Sequence, residues 1–393
     1  AQSGSSILIS QYWGKQDRRS ISRVMGAAMW TVLAVTALFA LIMNLWPLEF
    51  LSLFGNEQSV IATAAQYGDL AALSCCFNGL TMMYIAAYRS MEKPQLGMYI
   101  LIASMSLNTF LNWVFIFGHL GSPVMGVRGA ALATLIARIF EVCAITVHML
   151  VTRFFRVDFA ALFRPGREML RRFFLYGGPV VLNETMWGLG TSVMPTIMGH
   201  MENSTEILAA YTITSNVEQV VNVVGFGIAA TAAVIIGREV GAGRTEQVFP
   251  TGKALATLGF LTGTALGVPL FIFARWIAPA VVFPLFHLSA GASAIAMMMI
   301  TVQSFQMPLR DFNCVNIVGV LRGGGDVRAA TLIDISPLWI CAIPYAAVCG
   351  LILRLDITWV YLAYVIENLV KVGIGLWRLR SGKWIRDLTV SLH

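Results

Sequence analysis

The chain is organised as a series of long apolar segments separated by short polar loops. Ten of the segments are as long as the roughly 20 residues that a helix needs to cross a membrane, and one at the start is shorter. Such long, continuous segments predict helices rather than barrel strands, which are about half that length. The predicted helices cover about 1–13, 22–46, 62–88, 96–117, 128–151, 172–199, 207–236, 250–275, 292–321, 329–353 and 357–378.

The composition agrees with a membrane protein and excludes several soluble classes. Of the 393 residues, 57% are hydrophobic and 12% are charged, whereas a soluble domain carries about 25% charged residues. So little charge excludes a soluble enzyme, a disordered chain and a secreted disulfide scaffold. The net charge of +7 comes from Lys and Arg in the short loops, which favours a membrane protein over one that binds nucleic acid.

The distribution of Lys and Arg among the loops predicts an orientation. Alternate loops carry a clear excess of basic residues, and the loops between them carry slightly more acidic residues. Because basic loops stay in the cytoplasm, we expect a multi-pass protein of a bacterial-type plasma (inner) membrane with a cytoplasmic C-terminus. The basic loops are 15–23, 89–93, 153–172, 238–253, 322–328 and the tail 378–387.

Two weak sequence matches within the chain indicate an internal repeat that divides it into halves. The segment that ends at Gly14 resembles the one that ends at Gly241, and Tyr88–Lys93 resembles Leu321–Asp326. The second half holds six predicted helices, whereas the first holds four and a short one. We therefore expect helix 1 and part of helix 2 to lie upstream of the chain. An even number of helices per repeat keeps both halves in the same orientation, which predicts parallel repeats.

The predicted fold is an all-α integral membrane protein of two six-helix lobes, with about 11 of 12 helices present. An incomplete N-terminal lobe, with helices 2–6, covers residues 1–152. A cytoplasmic linker covers residues 153–171. The C-terminal lobe, with helices 7–12, covers residues 172–393.

Charged residues inside the predicted helices are candidate functional residues, since a charge near the middle of a bilayer is costly. Glu184 and Glu218 lie near the centres of their helices, and Arg310 and Asp311 lie slightly to the cytoplasmic side. In the internal repeat, Asp311 corresponds to the neutral Asn78. We therefore predict an acidic cation site in the second lobe. Arg310 could instead form a structural ion pair with Glu184 or Glu218.

Three amides are candidates for a neutral polar lining of the first lobe. Asn108 and Asn112 are one helical turn apart and share a face, and Asn78 lies on the preceding helix. These amides could equally form hydrogen bonds between helices.

Other charged residues have simpler interpretations. Arg138 with Glu141 and Glu367 with Lys371 have the spacing of pairs within one helix, and we expect both pairs to be structural. Asp334 is expected near a helix end, at the membrane interface. The glycine-rich segment 322–326 lacks the Lys-Ser/Thr of a P-loop and predicts a tight turn. No spacing indicates a bound metal.

Several segments resemble the multidrug and toxic compound extrusion (MATE) family, in the family's order. The resemblance implies twelve helices in two lobes, and secondary active efflux of organic cations coupled to inward H⁺ or Na⁺. The segments are Gly14-Lys15, 125–134, Asn183-Glu184, 241–243 and Asp311 followed by 321–323.

The resemblance also implies roles for individual residues. A Glu of the family's seventh helix and an Asp of its tenth helix serve the cation site. Glu184 and Asp311 match these positions, and the resemblance implies that they would share a Na⁺ if Na⁺ is the coupling ion. Asn108 and Asn112 match a polar pair of the fifth helix, the second of which is an acid in some members. Some branches use an Asp on helix 1, which would lie upstream here. Trp187 is expected to hold planar cations by cation–π contact.

The function expected is therefore an antiporter that works by alternating access, not an enzyme. Asn183, Trp187, Glu218 and Arg310 would line the cleft with the three amides. We expect small organic cations and membrane lipid as partners, no nucleic acid, a monomer, and no cofactor besides the coupling ion.

Two alternatives to this function stay open. A lipid-linked oligosaccharide or lipid flippase of the same superfamily would need a cleft rich in Arg and Lys. A membrane-embedded enzyme such as a prenyltransferase would need paired Asp motifs for Mg²⁺-diphosphate, and the sequence contains neither D-x-x-x-D nor D-D-x-x-D.

Overall fold

A computed structural model describes residues 2–52, 58–152 and 154–390, apart from the side chains at 51, 58–66 and 69. The described chain is nearly all helical, with thirteen helices and no strand. It forms two compact units, 1–177 and 178–393. The predicted limits of the lobes and of the linker stay predictions.

The first unit contains seven helices and the start of an eighth. They are α1 (Gln2–Gly14), α2 (Arg18–Leu45), α3 (Pro47–Ser52), α4 (Gln58–Ser90), α5 (Gln95–Phe117), α6 (Gly126–Val151), α7 (Phe159–Phe163) and α8 (Arg167–Gly199). The second unit contains the remainder of α8 and five further helices. They are α9 (Ser204–Gly241), α10 (Thr245–Leu285), α11 (Ala290–Leu321), α12 (Val327–Ile352) and α13 (Ile357–Arg380).

Nine helices in the described part of the chain are long and apolar enough to cross a membrane. They are α2, α4, α5, α6 and α9 to α13, and each corresponds to a predicted segment. The other two predicted segments are α1, which has only 13 residues, and α8. The 33 residues of α8 are ample in length, but polar residues such as Asn183 and Glu184 interrupt its apolar sequence. The predicted all-α membrane fold is confirmed.

The outer surface of the helices is apolar, as a lipid environment requires. Val220, Phe305, Ile340 and Trp377 are all large apolar side chains that lie exposed. Extended apolar surface of this kind is rare on soluble monomers. It agrees with helices that face hydrocarbon.

Small residues allow α10 and α11 to pack with their backbones in contact. A Cβ atom at Gly259 would lie 2.9 Å from the Asp311 carbonyl oxygen, and one at Gly267 would lie 2.5 Å from that of Ser304. Close backbone approach through small residues is typical of membrane helices. Beyond this contact, α11 continues as π-helical turns over Cys314–Leu321, which change the direction of the side chains that follow.

The chain after α13 folds back onto the second unit and is anchored by Trp384. This side chain is fully buried, and its indole Nε1 donates a hydrogen bond of 2.9 Å to the Leu379 carbonyl. Its ring fills the space beside two glycines, since a Cβ atom at Gly252 would lie 2.9 Å from the ring and one at Gly324 would overlap it. Trp384 therefore joins α10 to the turn between α11 and α12.

Replacing Trp384 by Ala is expected to destabilise the protein by about 3–5 kcal/mol, the usual cost of removing a buried aromatic side chain. Thermal unfolding in detergent measures the effect. Trp377→Ala is the matched control, because Trp377 is 67% exposed and its removal leaves no cavity. Equal shifts for the two variants would contradict the anchoring role of Trp384.

Candidate functional site

The second unit contains a cavity of about 180 Å³ between α8, α9, α11, α12 and α13. Four carboxylates and three cationic side chains line it, an unusual concentration of charge inside a membrane protein. The carboxylates are Glu184, Glu218, Asp334 and Glu367, and the cations are Arg310, Arg322 and Lys371. The remaining lining includes the amides Asn183, Gln306, Asn313 and Asn368 and the aromatic residues Trp187, Phe226, Tyr361 and Tyr364.

Helical periodicity brings these side chains to the cavity. On α13, residues 364, 367, 368 and 371 are spaced three or four apart and therefore share one face. On α8, Asn183 and Glu184 lie four and three residues before Trp187, and all three side chains line the cavity. The polar faces of α8 and α13 thus line the same cavity.

Arg310 and Glu218 form the first of two charged groups in the cavity. Arg310 Nη2 lies 2.6 Å from Glu218 Oε1, and Gln303 donates a hydrogen bond of 2.8 Å to Glu218 Oε2. Both oxygens of Glu218 therefore have partners. This pair is one of the two that the sequence left open for Arg310.

The second group is a row of five alternating charges, which we call the charge row: Glu184, Arg322, Asp334, Lys371 and Glu367. Arg322 Nη1 lies 3.3 Å from Glu184 Oε1, and its Nη2 lies 3.4 Å from Asp334 Oδ2. Lys371 Nζ lies 2.8 Å from Asp334 Oδ1 and 2.7 Å from Glu367 Oε1.

The charge row has one more carboxylate than cations, and its most exposed carboxylate is Glu184. The Arg322 side chain is 3% exposed, whereas that of Glu184 is 56% exposed. Asp334 also accepts a hydrogen bond of 2.9 Å from Asn183 Nδ2. With every group ionised, the row carries one net negative charge, and Glu184 presents it to the cavity.

The structure brings five of the predicted site residues to this cavity: Glu184, Asn183, Trp187, Glu218 and Arg310. Asp311 is not among the described lining residues. It is buried and faces α9, where a Cβ atom at Gly225 would lie 2.6 Å from Asp311 Oδ1. Successive residues of a helix point about 100° apart. This difference in direction allows Arg310 to face the cavity while Asp311 faces α9.

The predicted amides lie in the first unit. Asn112 Nδ2 donates a hydrogen bond of 3.1 Å to Asn108 Oδ1, and Asn108 Nδ2 donates one of 3.4 Å to Thr134 Oγ1. The second bond joins α5 to α6, as expected for a hydrogen bond between helices. The Asn78 Oδ1 atom is buried and has no hydrogen-bond partner among the described residues.

Four members of the charge row were not among the site residues predicted from the sequence: Arg322, Asp334, Lys371 and Glu367. Asp334 was expected at the interface, which stays a prediction, but its carboxylate is almost buried between Arg322 and Lys371. Lys371 does pair with Glu367 as expected, but it also contacts Asp334. The tight turn after Arg322 is present, with Gly325 at φ +96°, yet the Arg322 side chain reaches the cavity.

A signal for two of these residues was available in the sequence. Asp334 and Lys371 are charges inside apolar segments, and such residues usually pair with one another. The predicted structural pair of Arg138 and Glu141, in the first unit, is present at 2.6 Å.

A polytopic bundle of apolar helices with a charged cavity inside one unit is the architecture of a membrane transporter. Residues 1–114 and 179–348 match the model of the MatE family. Because the match covers more than half of the chain, this protein belongs to the MatE family of membrane transporters, the MATE multidrug efflux transporters.

Relatives that match nearly the whole chain support the same family. The chain is 24% identical to the probable multidrug resistance protein YoeA of Bacillus subtilis (strain 168) over 375 residues, which are 92% of this chain and 77% of YoeA. It is 23% identical to the probable multidrug resistance protein NorM of Thermotoga maritima over 392 residues, covering 98% of this chain and 81% of NorM.

Solved structures share the fold. A crystal structure of MATE in the bent conformation matches with a TM-score of 0.85 and 18% identity, over 97% of this chain and 83% of that one. A MOP superfamily transporter from Pyrococcus furiosus, described as having a binding pocket of reverse polarity, matches with a TM-score of 0.84 and 20% identity, over 97% and 84%.

Proposed function

We propose that this protein is a secondary active antiporter that exports organic cations in exchange for H⁺ or Na⁺ by alternating access. The observation that supports this proposal is the excess negative charge of the charge row, whose most exposed carboxylate is the half-exposed Glu184. A site for a single monovalent cation needs one net negative charge and a carboxylate that the cation can reach.

The chemistry of Glu184 suits exchange. An organic cation, a Na⁺ or a proton can each neutralise the carboxylate, so that binding of one weakens the hold on the others. Trp187 lies three residues further along α8, on the same face as Glu184, and is exposed. Its indole ring supplies a surface for cation–π contact with a planar cation. Competition between substrate and coupling ion at one carboxylate is the basis of antiport.

The polarity of the cavity favours this function over a flippase. A pyrophosphate group would need surplus positive charge, but each of the three cations in the cavity contacts a carboxylate. Arg310 contacts Glu218, Arg322 contacts Glu184 and Asp334, and Lys371 contacts Asp334 and Glu367.

We further propose that the protein lies in the bacterial inner membrane with its basic loops and C-terminal tail in the cytoplasm. The proposal rests on the positive-inside rule and on the alternation of basic and acidic loops along the chain. In this orientation the tail that carries Trp384 is at the cytoplasmic face.

Transport by the full-length protein in proteoliposomes tests the proposed function. Ethidium fluorescence is followed under an imposed pH gradient without Na⁺, and separately under a Na⁺ gradient at equal pH. We expect one of the two imposed ion gradients to drive ethidium against its own concentration gradient. The ion of that imposed gradient is the coupling ion. If size-exclusion chromatography shows that the protein is folded and neither gradient drives transport, the proposal is contradicted.

A further inference from the structure

The guanidinium of Arg322 lies beside the Glu184 carboxylate, where a bound cation would lie. It lies between two carboxylates, at 3.3 Å from Glu184 and 3.4 Å from Asp334. Both distances are longer than the roughly 2.7–2.9 Å of a strong charge-assisted hydrogen bond. The Nε atom is buried and has no hydrogen-bond partner among the described residues. The guanidinium is thus shared between the two carboxylates and bound tightly by neither.

The backbone that carries Arg322 is held firmly, in contrast to its guanidinium. A Cβ atom at Gly323 would lie 2.8 Å from Ala233 Cα, and one at Gly324 would overlap the Trp384 ring. Asp326, which ends the turn, is bound by Arg378 Nη2 at 2.5 Å and by Arg386 Nη1 at 3.5 Å. A fixed backbone limits Arg322 to movement of its side chain between the two neighbouring carboxylates.

The two carboxylates depend on Arg322 to different degrees. Asp334 also contacts Lys371 at 2.8 Å and Asn183 at 2.9 Å. Among the described residues, Arg322 is the one ion-pair partner of Glu184. When another cation binds Glu184, Arg322 can move fully to Asp334, and no buried charge loses its partner.

We propose that Arg322 is a tethered cation that competes with the transported cation for Glu184. In the empty site Arg322 partly neutralises Glu184. When an organic cation arrives, it displaces the guanidinium toward Asp334, and the return of the guanidinium promotes release of the cation. The inference rests on the proposed function, because it assumes that cations bind at Glu184. Arg322 sets the affinity of that binding.

Arg322→Gln tests the competition through equilibrium binding of ethidium to the full-length protein in detergent, measured by fluorescence anisotropy. We expect the Kd of the variant to fall by about tenfold, equivalent to about 1.4 kcal/mol. In a Glu184→Gln background, the same substitution is expected to leave the Kd unchanged, since the competing pair no longer exists. This double-mutant cycle isolates the interaction of Arg322 with Glu184.

Arg310→Gln is the matched control, because it removes an equal charge from the same cavity but from a pair that excludes Glu184. A gain for Arg322→Gln that persists in the Glu184→Gln background, as any gain for Arg310→Gln would, would overturn the proposal, because a general change of potential would then explain both. Unchanged or weaker binding by Arg322→Gln would also overturn it. If Arg322→Gln does not fold, Arg322→Lys replaces it. This variant keeps the charge without the forked geometry, and a smaller gain is expected.

The same measurements separate failure of this inference from failure of the proposed function. Binding by the wild type without a gain in Arg322→Gln contradicts the inference alone. If neither ethidium nor tetraphenylphosphonium binds to the wild type or to any folded variant, the proposed cation transport is contradicted. The inference about Arg322 then fails with it.

Discussion

Replacing Glu184 by Gln is expected to abolish ion-driven efflux of ethidium while the protein remains folded. Glutamine keeps the size of the side chain but has no charge that could bind a cation or exchange it for an ion. Two unit charges about 4 Å apart interact by about 4 kcal/mol at a protein surface, so that a loss of affinity of roughly a hundredfold or more is expected. The half-exposed Glu184 contributes little to folding, and Arg322 retains Asp334 as its partner.

This effect is measured in two sets of proteoliposomes, one with the variant and one with the same amount of wild type. Both are tested under the gradient that drives efflux by the wild type. Glu168→Gln is the matched control on the same helix, since Glu168 is an exposed residue that pairs with Arg172 and is not among the described lining of the cavity. Wild-type efflux by Glu184→Gln would exclude Glu184 from the coupling.

Replacing Asp334 by Asn is expected to weaken ethidium binding by about tenfold and to reduce efflux in proportion. The substitution removes the carboxylate that shares Arg322, and the guanidinium then binds Glu184 without a competing acceptor. The charge row also loses its excess negative charge. The effect is therefore opposite to that of Arg322→Gln, although neither residue is the one that we propose to bind the cation.

The double variant Asp334→Asn, Arg322→Gln distinguishes this explanation from simple damage to the site. With Arg322 absent, Glu184 is free to bind a cation, and we expect the affinity to recover to the wild-type level or above. Thermal unfolding provides the structural control, with an expected cost below about 3 kcal/mol because Lys371 keeps Glu367 as a partner. Equally weak binding by the double variant and Asp334→Asn would contradict the role of Asp334.

The sequence by itself determined the membrane class, the position of nearly every helix and several residues of the cavity. The length of an apolar segment depends only on consecutive residues, and this local property predicts a helix that crosses a membrane. Glu184 and Glu218 could be identified for a similar reason, because a charge in the middle of such a segment is visible without knowledge of its neighbours. The segment 125–134 and the other motifs together identified the family.

Only the tertiary structure decided which charges meet. In an ideal helix, residues 311 and 322 would lie about three turns apart on one face. The π-helical turns over Cys314–Leu321 change this relation, so that Asp311 faces α9 while Arg322 reaches the cavity. Asp334 and Lys371 come from different helices, and their contact depends on the rotation and axial position of each. Those are set by packing contacts, such as that of Gly375 on α13 with Asn316 on α11, between residues distant in the chain.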